Sequence, residues 1–439
     1  MSEYADIKIR KKTLYTFRNY LDSDIVSLLF SGNDLIITEN YKKDYEDEDS
    51  EPFTKYEYRT TVQKARQRLD AQGYSVRKFE EVFNMNMVEA IDYSGFLFHL
   101  HVPYDDFEER AEKRIKKYVT LQKWKNSMKK IVDYELDHGN IMWDDVINDP
   151  GISTECDKVI FYSLTDYNSE SFYALSLEIV HIALIFRLIL EYCDIDEEIV
   201  LDFSYLAFWS NDSITKALEA AEYAERTIVL VEGTSDKRIL EFAMRHIFPH
   251  LSDLFYFMDF EDDHGGKRDG GTSYVIKNLK TFYFSKLKAK FIAIFDNDAE
   301  GYQSQCTLLS DIKDWPDNFK ILLYPDISQF KKYPTIAPNG RIIGDNINRK
   351  ACSVELYLPD SLITGQNGYY PVEWEARKTI KNNDGKEESL YQGRISHKSD
   401  VLNKFATLQK QIERGQQLFV LEKWTRMKMV LETIVFAFQ

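Results

Sequence analysis

The sequence predicts an α/β protein: a mostly parallel, Rossmann-like sheet in its second half, preceded by an α+β region and followed by a helical C-terminal segment. Three observations carry this. From Arg226 onward the apolar runs TIVLV, LFYFM, FIAIF and KILLY alternate with the helical stretches DKRILEFAMRHIF and SYVIKNLKTFYF. That rhythm is strand, crossover helix, parallel strand. Two of the runs, TIVLVEGTSD (Thr227–Asp236) and FIAIFDNDAEG (Phe291–Gly301), end in carboxylates. The N-terminal residues alternate polar and apolar in short bursts instead.

Taken in order, residues 1–75 predict a strand-rich domain. The bursts DIKIRKKTLYTF, DIVSLLF, DLIITENY and KYEYRTTV read as strands joined by turns. The acidic run Asp44–Glu51 reads as a solvated loop, and Thr61–Gly73 as a short helix stopped at Gly73. Residues 76–224 are mainly helical in period, as in FEERAEKRIKKYVTLQKWKNSMKKIV and DSITKALEAAEYAER. The most apolar window, Ala174–Leu190, contains Glu178, His181 and Arg187, so it reads as a buried core helix and not a membrane span. Residues 225–400 read as one α/β domain. Beyond about residue 350 helical patterns return, and 401–439 predict C-terminal helices.

Composition narrows the function. The chain has 439 residues, 44% of them hydrophobic, which is ample for real cores. Its net charge of −16 is the wrong sign for a protein that coats nucleic acid nonspecifically. A nucleic-acid enzyme survives that objection if metal ions, local cations or a basic partner supply the field. The cysteines Cys156, Cys193, Cys306 and Cys352 lack zinc-ligand spacing and read as reduced thiols. The opening MSEYADIKIRKK has no apolar signal core, so the expected location is the cytoplasm. No GxxxxGK[ST] phosphate loop occurs.

The carboxylates carry the chemistry. Glu232 sits at a strand tip before Gly233, where the chain turns closely and a phosphate can approach backbone. Asp236, four residues on, falls in the first turn of the next helix, where a plain helix-dipole role is the alternative. Asp296 and Asp298 flank Asn297 and point the same way in an extended segment; the alternative is an Asp-rich turn. Like charges gathered at a sheet edge cost stability unless a cation lies among them. Hard oxygen ligands select Mg²⁺ or Mn²⁺. Three weaker candidates follow. Ser353 and Glu355, two apart in CSVELYLPD, face one side or form a surface turn. Lys398 meets charge on a phosphate or is solvated surface, with His397 weaker beside it. Gly270 and Gly271 admit a phosphate or make a turn.

Together VEGTSD and IFDNDAEG resemble the two hallmark motifs of the Toprim domain, shared by topoisomerases, bacterial primases and the OLD family of nucleases. The chain is most similar to the OLD-like nucleases. They carry an acidic residue four after the first glutamate (here Asp236), a Ser-x-Glu element (Ser353 and Glu355) and a downstream lysine (Lys398). The resemblance spans roughly 226–400. It implies two metal ions that cleave a phosphodiester, one activating water and one stabilising the leaving oxygen. Glu232, Asp236 and Asp296 would hold one ion; Asp298 and Glu355, with Ser353 beside them, the other. Lys398 would meet the charge that builds on the phosphate. Residues 1–80, through YRTTVQKARQRLDAQGY, also resemble the HEPN/Toprim-associated domain. The OLD family's N-terminal ATPase is absent, and so is the Arg-to-His motif of HEPN ribonucleases.

The expected function is therefore a metal-dependent endonuclease acting on DNA or RNA, including tRNA, in antiviral defence. Any nucleotide control would come from a separate ATPase partner. The helical region 76–224 is the expected assembly surface, with a homodimer favoured. The alternatives are a non-catalytic scaffold for nucleic acid or an ATPase partner, and primase-like nucleotidyl transfer, which lacks its zinc-ribbon cysteines here.

Overall fold

A computed structural model describes residues 4–41, 53–86, 120–139, 181–209, 215, 226–258, 271–381 and 387–439. The acidic run Asp44–Glu51, Cys156, Gly270, residues 174–180 and most of DSITKALEAAEYAER lie outside them. The chain divides into two compact units, with the boundary between Ala224 and Glu225.

The first unit is built on five antiparallel strands: β1 (Tyr4–Ile9), β2 (Lys12–Arg18), β3 (Leu35–Tyr41), β4 (Phe53–Thr61) and β5 (Glu198–Asp202), in the order β2-β1-β5-β4-β3. Alternation explains the sheet. Ala5, Ile7 and Ile9 point inward from β1, as Ile199 and Leu201 do from β5, while Asp6 and Lys8 point out. The inward face packs on the helices α1 (Ser23–Leu29), α2 (Val62–Ala71), α3 (Val76–Asn86), α4 (Leu121–His138), α5 (Ile182–Glu191) and α6 (Ser204–Trp209). Every residue of α5 from Ala183 to Leu190 is buried.

Two expectations change here. DIVSLLF is helix, not strand: the Asp22 carboxylate accepts from the N–H groups of Asp24 and Ile25 and caps its start. The segments 1–75 and 76–224 also share one core. It runs from Ala5 to Ala207, because β5 enters the sheet between β1 and β4.

The second unit centres on four parallel strands, β6 (Thr227–Leu230), β7 (Phe255–Met258), β8 (Phe291–Phe295) and β10 (Phe319–Leu323), in the order β10-β8-β6-β7. Its helices are α7 (Thr234–Ile247), α8 (Thr272–Phe284) and α9 (Ala299–Asp311). All five residues of β8 are buried, as an unbroken apolar run in a parallel sheet should be. The two-residue strand β9 (Asn297–Asp298) pairs with β13 (Ala351–Cys352). A second sheet, in the order β12-β11-β16-β17, contains β11 (Tyr333–Ile336) and β12 (Ile342–Asp345). Its other half is a long hairpin of β16 (Val372–Lys381) and β17 (Glu387–Ile395). A small hairpin, β14 (Thr364–Gly365) and β15 (Gly368–Tyr369), precedes it.

The hairpin corrects the expectation that helix resumes after 350. Helix resumes only at α10 (Lys398–Glu413) and α11 (Thr425–Val435). These two belong to the second unit's core: Phe242 of α7 meets Phe405 of α10 edge-on at 5.6 Å and Trp424 at 5.7 Å. Among the described residues no helix is long and apolar enough to cross a membrane. Cys193, Cys306 and Cys352 are buried free thiols.

Candidate active site

The order β10-β8-β6-β7 creates the site. The chain leaves β6 through α7 toward β7, and leaves β8 through α9 toward β10. Adjacent strands whose connections diverge leave a crevice at their carboxyl ends, where open α/β sheets bind ligands. Glu232 follows β6 and Asp296 follows β8, so both stand at that crevice. They touch: Glu232 Oε1 accepts from the Asp296 backbone N–H at 3.0 Å. The Glu232 carbonyl accepts from the N–H of Gly271, which takes φ 91° at the start of α8.

Asp236 is buried in the first turn of α7, where its Oδ1 accepts from the Tyr324 hydroxyl at 3.2 Å. Asp298 caps α9. Its Oδ1 accepts from the Gly301 N–H at 2.8 Å, and its Oδ2 from Gln392 Nε2 at 2.6 Å. The same Gln392 amide accepts the Glu300 N–H through Oε1 at 3.1 Å. Gly301 must be glycine, because a Cβ there would lie 2.1 Å from the Asp296 carbonyl oxygen. Asn297 is fully buried between the two aspartates. It holds Asp326 through Nδ2 and the Arg349 N–H through Oδ1, both at 2.8 Å.

The β9–β13 pairing carries the third element in. Ala351 lies opposite Asp298 and Cys352 opposite Asn297, so the 3₁₀ turn Val354–Tyr357 follows directly. Glu355 on that turn is fully buried. Ser353 donates to its Oε2 at 2.7 Å, and Lys398 Nζ lies 2.9 Å from its Oε1. Lys398 is the first residue of α10 and half exposed. His397 sits before it with φ 56°, its ring against Tyr370 and 3.4 Å from Asp400.

Electrostatics tie these groups into one cluster. Burial pushes Glu232 up to about 8, and the charge of Asp298 adds to it. Burial, then Glu355, lifts Asp236 to about 7, against the pull of Lys398. Asp296 is raised well above the carboxylate range, by burial and then by Asp236, Glu232, Asp298 and Glu355. Asp298 is raised by burial despite its two donors. Partial burial pulls Lys398 down, but Glu355, backed by Asp296 and Asp236, outweighs it and the ammonium is raised. Each carboxylate thus feels others of its own sign.

Asp296 Oδ1 is buried without a hydrogen-bond partner. An orphan carboxylate oxygen among like charges is what a cation would satisfy. The other donors are also hard oxygens, and the set fits Mg²⁺ or Mn²⁺ in chemistry. It is not assembled in shape: among the described residues no three acidic, histidine or cysteine side chains stand close enough to hold an ion. Asp298 and Glu355 are turned to Gln392 and Lys398, so an ion held by either would require those contacts to yield.

Sequence reasoning missed Gln392, Tyr324 and the structural part of Asn297. Gln392 lies on a polar strand with no local signal, and Tyr324 follows an apolar run like any other core tyrosine. A family profile described as HEPN/Toprim N-terminal domain 1 matches residues 1–222. That reaches far past the 1–80 stretch of the sequence resemblance and ends beside the boundary between the two units. No curated protein and no solved structure matches the chain. With just over half of its 439 residues inside that match, the chain belongs to the HEPN/Toprim N-terminal domain 1 family.

Proposed function

We propose that this protein is a divalent-metal-dependent endonuclease, OLD-like in its site, whose second unit cleaves phosphodiester bonds in DNA or RNA. One observation carries the reading: the carboxylates Glu232, Asp236, Asp296 and Asp298, each raised by burial and neighbouring like charge, gather with the buried Glu355 at the carboxyl end of a parallel sheet. Internal pairing does not explain them, since Lys398 is the one cation in an ion pair with any of the five among the described residues.

Glu232, Asp236 and Asp296 would hold one Mg²⁺ or Mn²⁺ ion, and Asp298 and Glu355 a second. When bound, the pair supplies water activation at neutral pH and charge stabilisation at the leaving oxygen. The chain's own side chains do the rest. Ser353 fixes the rotamer of Glu355 through its hydroxyl. Tyr324 holds one oxygen of Asp236, and the other accepts only a long bond, 3.5 Å, from the Ser235 hydroxyl. Lys398, half exposed beside Glu355, would stabilise negative charge on the scissile phosphate. The site's acidity would repel a phosphate while its carboxylates are unneutralised. In the cell this reading makes the protein an antiviral effector, quiet until engaged, with a homodimer and a separate ATPase as its partners.

Purified protein incubated with Mg²⁺ or Mn²⁺ and plasmid, linear DNA or tRNA should cleave at least one of them. The Asp296→Asn variant should not, and an allele carrying it should lose whatever phage resistance the native gene confers. Native-rate cleavage by Asp296→Asn sinks the assignment. Metal binding with no cleavage of any of the three substrates favours the scaffold instead.

A further inference from the structure

The first turn of α7, which carries Asp236, also forms one end of a cleft that the carboxylates do not use. Thr234 and Ser235 line that end. From there the cleft runs between α7 and α10, with a volume of about 510 Å³, in the range of ligand clefts. Leu402, one turn after Lys398, and Phe405 form the α10 wall. Arg238 and Arg245 line the α7 wall.

These two arginines differ from others in the chain. Arg10 is paired with Asp137 and Glu197, Arg187 with Asp70 and Glu191, Arg394 with Glu375, and Arg426 with Asp360. Arg238 instead donates from Nε to the neutral Gln409 at 2.8 Å, and its guanidinium lies over the Phe405 ring at 5.6 Å. Arg245 donates from Nε to the Glu241 carbonyl of its own helix. Neutral partners fix a guanidinium's position and leave its charge uncompensated. Lys237 adds a third cation to the lining, against a single carboxylate, Glu241. In a chain with a net charge of −16, a cationic cleft that starts at an acidic site needs a reason. Arg238 and Arg245 are seven residues apart on one helix, so they share a face and are separated by roughly 10 Å along its axis. Two fixed guanidiniums on one line suit a repeating anion, and Arg grips phosphate oxygens with paired donors.

We propose that this cleft is the track for the sugar–phosphate backbone of a nucleic acid entering the carboxylate site, with Arg238 and Arg245 as its phosphate ligands. The choice of nucleic acid rests on the nuclease reading, but the test does not require cleavage.

Binding of fluorescent single-stranded DNA, duplex DNA and single-stranded RNA is measured in EDTA over a range of salt, on the Asp296→Asn background. The double variant Arg238→Gln/Arg245→Gln should bind its best nucleic acid about 10-fold or more weakly. Its slope of log affinity against log salt should be shallower by about 2 for duplex, one per lost phosphate contact. Arg238→Lys/Arg245→Lys, which keeps the charge, should retain the native slope, and both variants should melt as the parent does. Unchanged affinity and slope in the glutamine variant overturn the proposal, as does failure of the parent to bind any of the three. Binding that follows the arginines while the metal-loaded native protein cleaves nothing leaves the cleft standing and removes the nuclease reading.

Discussion

Each unit buries charge, and the two do it in opposite ways. In the first unit Lys12 of β2 meets Glu135 of α4 at 2.5 Å, with side chains 4% and 1% exposed. Burial pulls the lysine down and pushes the glutamate up, and each partner offsets the other's shift. The pair is balanced in sign, one cation to one anion. In the second unit five carboxylates are gathered with Lys398, itself half exposed, as the cation at Glu355. A buried pair of opposite sign ties a strand to a helix. A buried set of one sign is incomplete and calls for something from outside.

The sharpest way to break this contrast is to remove one member from each cluster. Glu135→Leu removes the carboxylate facing the buried Lys12 ammonium and should cost about 3–5 kcal/mol in denaturant unfolding. The double variant Lys12→Met/Glu135→Leu should recover most of that loss, since an apolar pair of similar volume avoids the desolvation cost. Asp296→Asn should behave oppositely in metal-free protein, leaving stability unchanged or raised. If Glu135→Leu is silent, or Asp296→Asn costs as much as Glu135→Leu, the two clusters are not different in kind.

The second test is pH. Glu232 rises from an ordinary 4.5 to about 8 on folding, and Asp236 from 3.8 to about 7. The folded state therefore binds these protons more tightly than the unfolded state does. Stability falls as pH climbs, starting near the unfolded values and levelling off above the folded ones. Metal-free protein should lose stability between about pH 4 and pH 8, on the order of a few kcal/mol. Glu135 in the first unit, also raised, adds to the decline, so the informative quantity is the difference between proteins. Asp296→Asn should flatten the decline, and saturating Mg²⁺ should abolish most of it by replacing protons with a cation. Parallel pH profiles for native protein and variant would mean that the carboxylates do not repel one another as their burial implies.

Sequence made the α/β half legible because its signal is local. FIAIF lies in a parallel strand buried on both faces and TIVLV in one buried almost as fully, while KILLY lies in the half-buried edge strand; Glu232 and Asp296 stand where the first two runs stop. What stayed hidden is long-range. β5 is five residues inside a helical region, and it becomes a central strand only because β1 and β4 accept it. VEWEARKTIK and EESLYQGRI are too polar to announce a hairpin, and they form one by pairing with each other. Ser353 and Glu355 could be named from the family pattern, yet their delivery depends on the two-residue ladder between β9 and β13. Gln392 belongs to the same class of residue, ninety-four positions from the carboxylate it touches.

Gln392 gives the smallest expected effect and bears most directly on how an incomplete site is held ready. Its amide spans two groups on the α9 start, donating to Asp298 Oδ2 and accepting from the Glu300 N–H. Both contacts fix the cap of α9 and the direction of the Asp298 carboxylate. Outer contacts of this kind typically matter about 10–100-fold in metal affinity. Gln392→Leu keeps the approximate length and removes both hydrogen bonds. The metal-free variant loses a charge-assisted bond of about 1.5–3 kcal/mol, so its lower melting temperature alone says little. The decisive quantity is the further rise on adding Mg²⁺ or Mn²⁺. That rise should be smaller in Gln392→Leu than in native protein, by an amount equivalent to about 10-fold weaker binding, or about 1.4 kcal/mol at saturating metal. An equal rise in both proteins would make Gln392 a strut of the β16–β17 hairpin only. A larger rise would mean that its bond to Asp298 competes with the metal, and that release of the amide is part of loading the site.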